Sequence, residues 1–167
     1  SKLREDGRLG YLKVEIDEIK TPVYLENKKK LFCIIYCMNL IKILTVENES
    51  NMEIYSLLEK LFKIIDFDNW LVEFLFLELN IFKSIGYDIN FKDYVVNKNI
   101  NGASKYVVDS SQKIIPNFLI DKKIIPENTK DIYSGYSIVG DFLDKTIIKP
   151  NNKSFPSSRT DFINLLK

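Results

Sequence analysis

The sequence predicts a mainly α-helical bundle with a small β-hairpin insert, preceded by strand-forming residues. Three observations predict it. Apolar residues recur at helical spacing in long stretches between Leu31 and Ile148, residues 88–126 lose that period, and residues 9–19 alternate apolar and polar instead. The chain has 167 residues, 46% hydrophobic and 13% aromatic, with only 6 Gly and 5 Pro, so it is long enough to bury one substantial core and is far from a disordered composition.

From the N-terminus, Leu12, Val14 and Ile16 share one face of a strand while Lys13, Glu15 and Asp17 share the other. A lone strand does not fold. With Ser1 rather than Met at its head, the chain is expected to be a fragment in which residues 1–20 are the last strands of a β-domain, Glu5-Asp6-Gly7 forming a turn, and 21–167 a helical domain.

After Thr21-Pro22, with Pro suited to a helix's first position, Leu31, Ile34, Ile35, Met38, Ile41 and Leu44 mark the inner face of a long helix. Ser50 with Glu53 has the form of a capping box opening a second helix, buried through Ile54, Leu57, Leu58, Leu61 and Ile65 and ending near Asp66. Asp68 or Asn69 can cap a third, Trp70 to Ile85, apolar almost all round and closed by Gly86; it should centre the core. In the insert, Tyr106-Val107-Val108 and Lys113-Ile114-Ile115 flank Asp109-Ser110-Ser111-Gln112 like a hairpin. A fourth helix from Thr129 to Ile148 turns Ile132, Tyr136, Val139, Phe142, Leu143 and Ile147 inward until Pro150 stops it, and Ser157 or Ser158 opens a short last helix.

Composition also limits function. There is no histidine within these residues, which removes triads, Cys-His pairs and most metal cages. Lys and Arg number 24 against 23 Asp and Glu, so the net charge of +1 supplies no general field for nucleic acid. The two cysteines point to a reducing cytosol, and the longest apolar stretch, Leu31 to Val46, is broken by Asn39 and Lys42 and falls short of the roughly 20 residues of a membrane span.

Candidate groups follow from spacing. Cys33 and Cys37 share a helix face and could be two thiolate ligands, but with Leu31, Ile34, Ile35 and Met38 around them they are expected to be inert core thiols. Glu73 and Glu78 are five apart and do not converge as an acid/base pair; Glu78, between Leu77 and Leu79, is expected in a structural ion pair that offsets its desolvation. Lys28, Lys29 and Lys30, with Arg4, Arg8 and Lys13, could form a phosphate-binding edge, and Tyr11 or Tyr24 a stacking surface for a base, although a solvated face is the ordinary role of such a run. Gly102, Gly135 and Gly140 stand singly, without the spacing of a phosphate loop.

Leu77-Glu78-Leu79-Asn80-Ile81-Phe82-Lys83-Ser84-Ile85-Gly86-Tyr87-Asp88-Ile89 resembles the Phe-Glu-Leu-x-Leu-Leu-x-x-Leu-Gly-Tyr-x-Leu segment of the bacterial RecO recombination-repair family. Gly140-Asp141-Phe142-Leu143-Asp144-Lys145, Pro150, and Pro156 to Arg159 are similar to its Gly-x-Phe-Leu-Glu-Arg helix and Pro-x-x-Arg ending. Tyr106 to Pro116 is similar to its Ser- and Gly-rich hairpin, and Leu9 to Glu15 to the closing strand of its N-terminal OB barrel. Two positions depart: Tyr94 and Asn97 stand where zinc-carrying relatives have Cys-x-x-Cys, and Lys145-Thr146 where relatives have Arg-His.

The resemblance implies a truncated OB barrel over 1–20, a helical RecO-like domain over 21–167, and a non-enzymatic, cofactor-free mediator in the bacterial cytoplasm near the nucleoid. Such a protein binds and anneals single-stranded DNA, works with RecR, and helps RecA replace single-strand-binding protein, SSB. Arg159, Lys145 and Lys149 are then expected to hold the carboxylates of the acidic SSB tail, with Phe142 lining the apolar end of the groove. A helical protein–protein adaptor without nucleic-acid binding is the alternative.

Overall fold

The computed structural model describes residues 21–46, 50–100, 103–108, 113–126 and 128–167. The strand expected over residues 9–19 lies outside them. The described residues form six α-helices and a three-stranded antiparallel sheet, so the mainly helical expectation holds.

Thr21–Tyr24 is a separate 3-10 turn, so Pro22 does not open the first long helix. That helix, α1 (Lys28–Leu44), starts one turn later because the Asn27 side chain accepts a hydrogen bond from the Lys30 amide, placing Lys28 to Lys30 inside its first turn. Its buried face is Cys33, Ile34, Tyr36, Cys37 and Leu40, while Ile35 and Met38, expected inside, are exposed. The rotation follows from Tyr36, whose hydroxyl seeks a partner in the core. α2 (Met52–Ile64) is capped by Asn51, which accepts from the Ile54 amide; the amide side chain takes the role expected of Ser50.

α3 (Trp70–Ser84) runs through the centre with Val72, Phe74, Leu75, Leu77, Glu78, Ile81 and Phe82 buried. It closes with the Tyr87 amide donating to the Phe82 carbonyl at 2.9 Å and the Gly86 amide to the Lys83 carbonyl at 3.0 Å. That paired closure needs a left-handed residue, and Gly86 supplies φ +98°.

In the insert a 3-10 turn, Phe91–Tyr94, leads into β1 (Val95–Ile100), which pairs with β2 (Ala103–Val108); β2 then pairs with β3 (Ile114–Ile115). The expected hairpin is β2–β3, with Tyr106 opposite Ile115. β1 is an additional strand: its Asn97, Lys98 and Asn99 hide the alternation in the sequence. α4 (Asn117–Ile120) buries Phe118, Leu119 and Ile120.

α5 (Thr129–Leu143) does not reach Ile148 as a regular α-helix; Asp144–Ile148 is π-helical and a 3-10 turn, Lys149–Asn151, follows. α6 (Ser157–Asn164) follows Pro156. Phe162 on α6 sits among rings from three elements, with centroids 6.2 Å from Tyr36, 5.5 Å from Phe74 and 5.5 Å from Tyr136. Edge and stacked ring contacts of this kind join α1, α3, α5 and α6 into one core.

Candidate functional site

At the centre of that core lies an ion pair. Glu78 is fully buried, and its Oε1 accepts from Arg159 Nε at 3.1 Å and from the Tyr36 hydroxyl. Arg159 Nε also lies 3.2 Å from the Tyr36 oxygen, and Nη2 donates to the Tyr136 carbonyl at 3.0 Å. Burial alone lowers the guanidinium's proton affinity, but the Glu78 carboxylate and Tyr36 outweigh it and hold Arg159 above its ordinary range. Burial first, then the Glu78 charge, pushes the Tyr36 hydroxyl well up. A carboxylate inside a helix bundle requires such a partner, so Glu78 is the structural residue its position predicted.

This geometry changes the reading of Arg159. Expected at the rim of a peptide groove, it is 8% exposed, with Nε and Nη2 engaged inside the bundle. Gly140 makes room for it: a Cβ there would come within 2.3 Å of Arg159 Nη1. The other three residues of that set lie on the end of α5, the π-helical segment and the 3-10 turn after it. Lys149 is bound to Asp144 at 2.6 Å, and Lys145 is exposed. Phe142 is half-buried, 5.5 Å from Phe91 and 5.0 Å from Tyr94 between ring centroids. Of this set, Arg159 is thus engaged in the core and Lys149 in an ion pair.

Of the expected phosphate-binding edge, Arg4, Arg8, Lys13 and Tyr11 lie outside the described residues. Lys28 and Lys29 are exposed in the first turn of α1, where they oppose the helix dipole. Lys30 is held by Asp66 at 3.1 Å and over the Tyr24 ring at 5.7 Å. Tyr24 is buried and donates its hydroxyl to Asp66, so its ring offers no open stacking face.

The structure shows a surface that residue spacing alone did not single out. A groove of about 590 Å³ runs beside α3, floored by Phe76, Leu79, Leu119 and Ile120 and rimmed by Lys83, Lys92, Lys122 and Lys123 with Asp88 and Asp121 between them. A smaller cleft beside it shares Phe76, Asn80 and Lys122 and adds Lys60 and Glu73, so the lining of this trough-like surface extends along α3 from Asn69 to Lys83. At 1.5 Å per helical residue that is about 21 Å. Lys83 is paired with Asp88 at 2.8 Å, and Lys122 lies 4.9 Å above the Phe76 ring. Lys92 and Lys123 are exposed, and their ammonium groups make no ion pair among the described residues, although the Lys123 backbone amide donates to Asp121 at 3.0 Å. The only sequence trace of this surface is the i, i+4, i+7 spacing of Phe76, Asn80 and Lys83; the opposite wall comes from residues near 90 and 122.

Cys33 and Cys37 are buried, as expected of core thiols. Burial, with the nearby Glu78, pushes Cys37 up to about 12, and Cys33 is also raised well above its ordinary range by burial, Cys37 and Glu78. Among the described residues no cluster of His, Cys, Asp or Glu has metal-binding geometry, and no helix is long and apolar enough to cross a membrane.

Fold and surface together define a helical domain with an appended small sheet, built on a buried ion pair and bearing a largely lysine-rimmed apolar trough. The chain belongs to the RecO family: the family model described as "Recombination protein O C terminal" matches residues 25–119, more than half of it. It is 23% identical over 180 residues to the DNA repair protein RecO of Ehrlichia chaffeensis (strain ATCC CRL-10679 / Arkansas), covering 96% of this chain and 73% of that protein. No solved structure matches it.

Proposed function

We propose that the chain is a non-enzymatic DNA-repair mediator that binds and anneals single-stranded DNA and, with RecR, helps RecA load onto SSB-coated DNA. The carrying observation is the lysine-rimmed trough along α3 in a chain of this family. Its apolar floor suits a bulky terminal side chain, and its Lys rim suits carboxylates, the chemistry of an acidic SSB tail. An extended peptide rises about 3.3 Å per residue, so about six residues span the trough. The tail is thus assigned to Lys92, Lys122 and Lys123 in place of Arg159, whose guanidinium serves the core.

Strand annealing tests the reading. The chain should accelerate pairing of complementary oligonucleotides both naked and SSB-coated, whereas Lys122→Glu with Lys123→Glu should retain the first and lose most of the second. A chain that accelerates neither is not a mediator of this kind, and equal activity of the double variant on coated strands would remove the trough from the mechanism.

A further inference from the structure

The structure also carries an exposed aromatic platform that the trough does not use. Tyr94 ends the 3-10 turn before β1 and is 48% exposed. Its ring meets Phe142 at 5.0 Å and an interplanar angle of 64°, and Phe142 meets the buried Phe91 at 5.5 Å and 65°. Three rings in edge contact run from the core to the surface. The outermost is therefore held in a fixed orientation, and one edge contact occupies at most one of its two faces.

Near this ring the exposed cations Lys92 and Lys145 stand against one open carboxylate, Asp93. Lys145 stands three residues beyond Phe142, in the π-helical segment, and is exposed without an ion pair among the described residues. The carboxylates of that helix end are compensated: Asp141 is paired with Lys113 at 2.9 Å and Asp144 with Lys149 at 2.6 Å. Asp93, beside Tyr94, accepts from the Asn90 amide at 3.2 Å and is the acidic group left facing solvent in the turn.

We propose that Tyr94 stacks a nucleobase of single-stranded DNA while Lys145 contacts the adjacent phosphate. A half-exposed ring packed on Phe142, with an uncompensated cation three residues beyond that phenylalanine, offers the base-stacking and phosphate groups by which sequence-independent single-strand binders hold a strand. This rests on the single-strand binding proposed above and adds a contact on the helical domain, apart from the basic edge expected before α1.

The test is fluorescence anisotropy of labelled oligo-dT, and of the same strand carrying abasic sites, with the full chain. Tyr94→Leu should weaken oligo-dT binding about five- to thirtyfold, and Tyr94→Phe should bind like the parent. On the abasic strand, parent and Tyr94→Leu should bind alike. Lys145→Gln should lower the slope of log affinity against log salt by about 0.7. Unchanged oligo-dT affinity in Tyr94→Leu, or an equal loss on the abasic strand, overturns the platform. Should Tyr94→Leu misfold by circular dichroism, an unchanged salt slope for Lys145→Gln overturns it independently. If the parent binds oligo-dT and only these variants are neutral, this inference alone falls; if the parent does not bind, the mediator reading falls with it.

Discussion

Replacing Arg159 by Met should be among the most destabilising single substitutions in this chain. The side chain is 8% exposed, and its removal strips Glu78, itself fully buried, of its cationic partner. Glu78 Oε1 would retain the Tyr36 hydroxyl, while Oε2 already lacks a protein hydrogen-bond donor. Breaking one side of a buried pair costs about 3–5 kcal/mol, a large share of the roughly 5–15 kcal/mol by which a domain is stable. Removing both charges at once, as Glu78→Leu with Arg159→Met, should cost far less, because no isolated carboxylate remains and methionine fills much of the space. Urea unfolding followed by Trp70 fluorescence suits the measurement, since the single tryptophan lies 6.4 Å from Phe162 on the helix that carries Arg159. The expected double-mutant coupling is at least about 2 kcal/mol. A loss below about 1 kcal/mol in Arg159→Met, or simple additivity in the double variant, would show that the pair does not hold the helices as described.

Gly140→Ala should destabilise by about 1–3 kcal/mol despite alanine's better helix propensity, because the new methyl meets a guanidinium pinned by Glu78; the same urea titration checks it. Cys33 and Cys37 should resist a thiol reagent at pH 8 in the native chain and both react once urea unfolds it, since burial keeps each protonated; rapid native labelling would contradict their placement. Asp66 is held below its usual range chiefly by the Lys30 hydrogen bond, so its small, salt-screened contribution is complete above the unfolded value of about 4 and is lost as pH falls through the lower folded value. Urea midpoints of the parent and Asp66→Asn should therefore differ at neutral pH and converge in acid.

What was legible in the sequence follows the range of the interactions involved. Helical period gave α2 and α3 to within a residue or two, because their apolar positions are local. Glu78's need for a partner was local too, but the partner was not: Arg159 lies 81 positions later. Family resemblance placed that arginine in a binding groove; packing placed it under Gly140. The face of α1 departs from the one that Ile35 and Met38 suggest because a tyrosine whose hydroxyl reaches a buried acid takes the inner position ahead of them. The trough stayed hidden because its walls come from three separate segments, and its basic rim from lysines scattered between residues 60 and 123.

The buried ion pair also imposes an order on biosynthesis. Tyr36 and Glu78 leave the ribosome well before Arg159, which follows them by 123 and 81 positions. Until that arginine emerges, α1 and α3 can associate only around an acid with no cation beside it, an arrangement that favours an open, hydrated precursor over a closed one. Completion of the native interior thus waits on translation of α6, and a nascent chain stalled before it should stay susceptible to protease around α3.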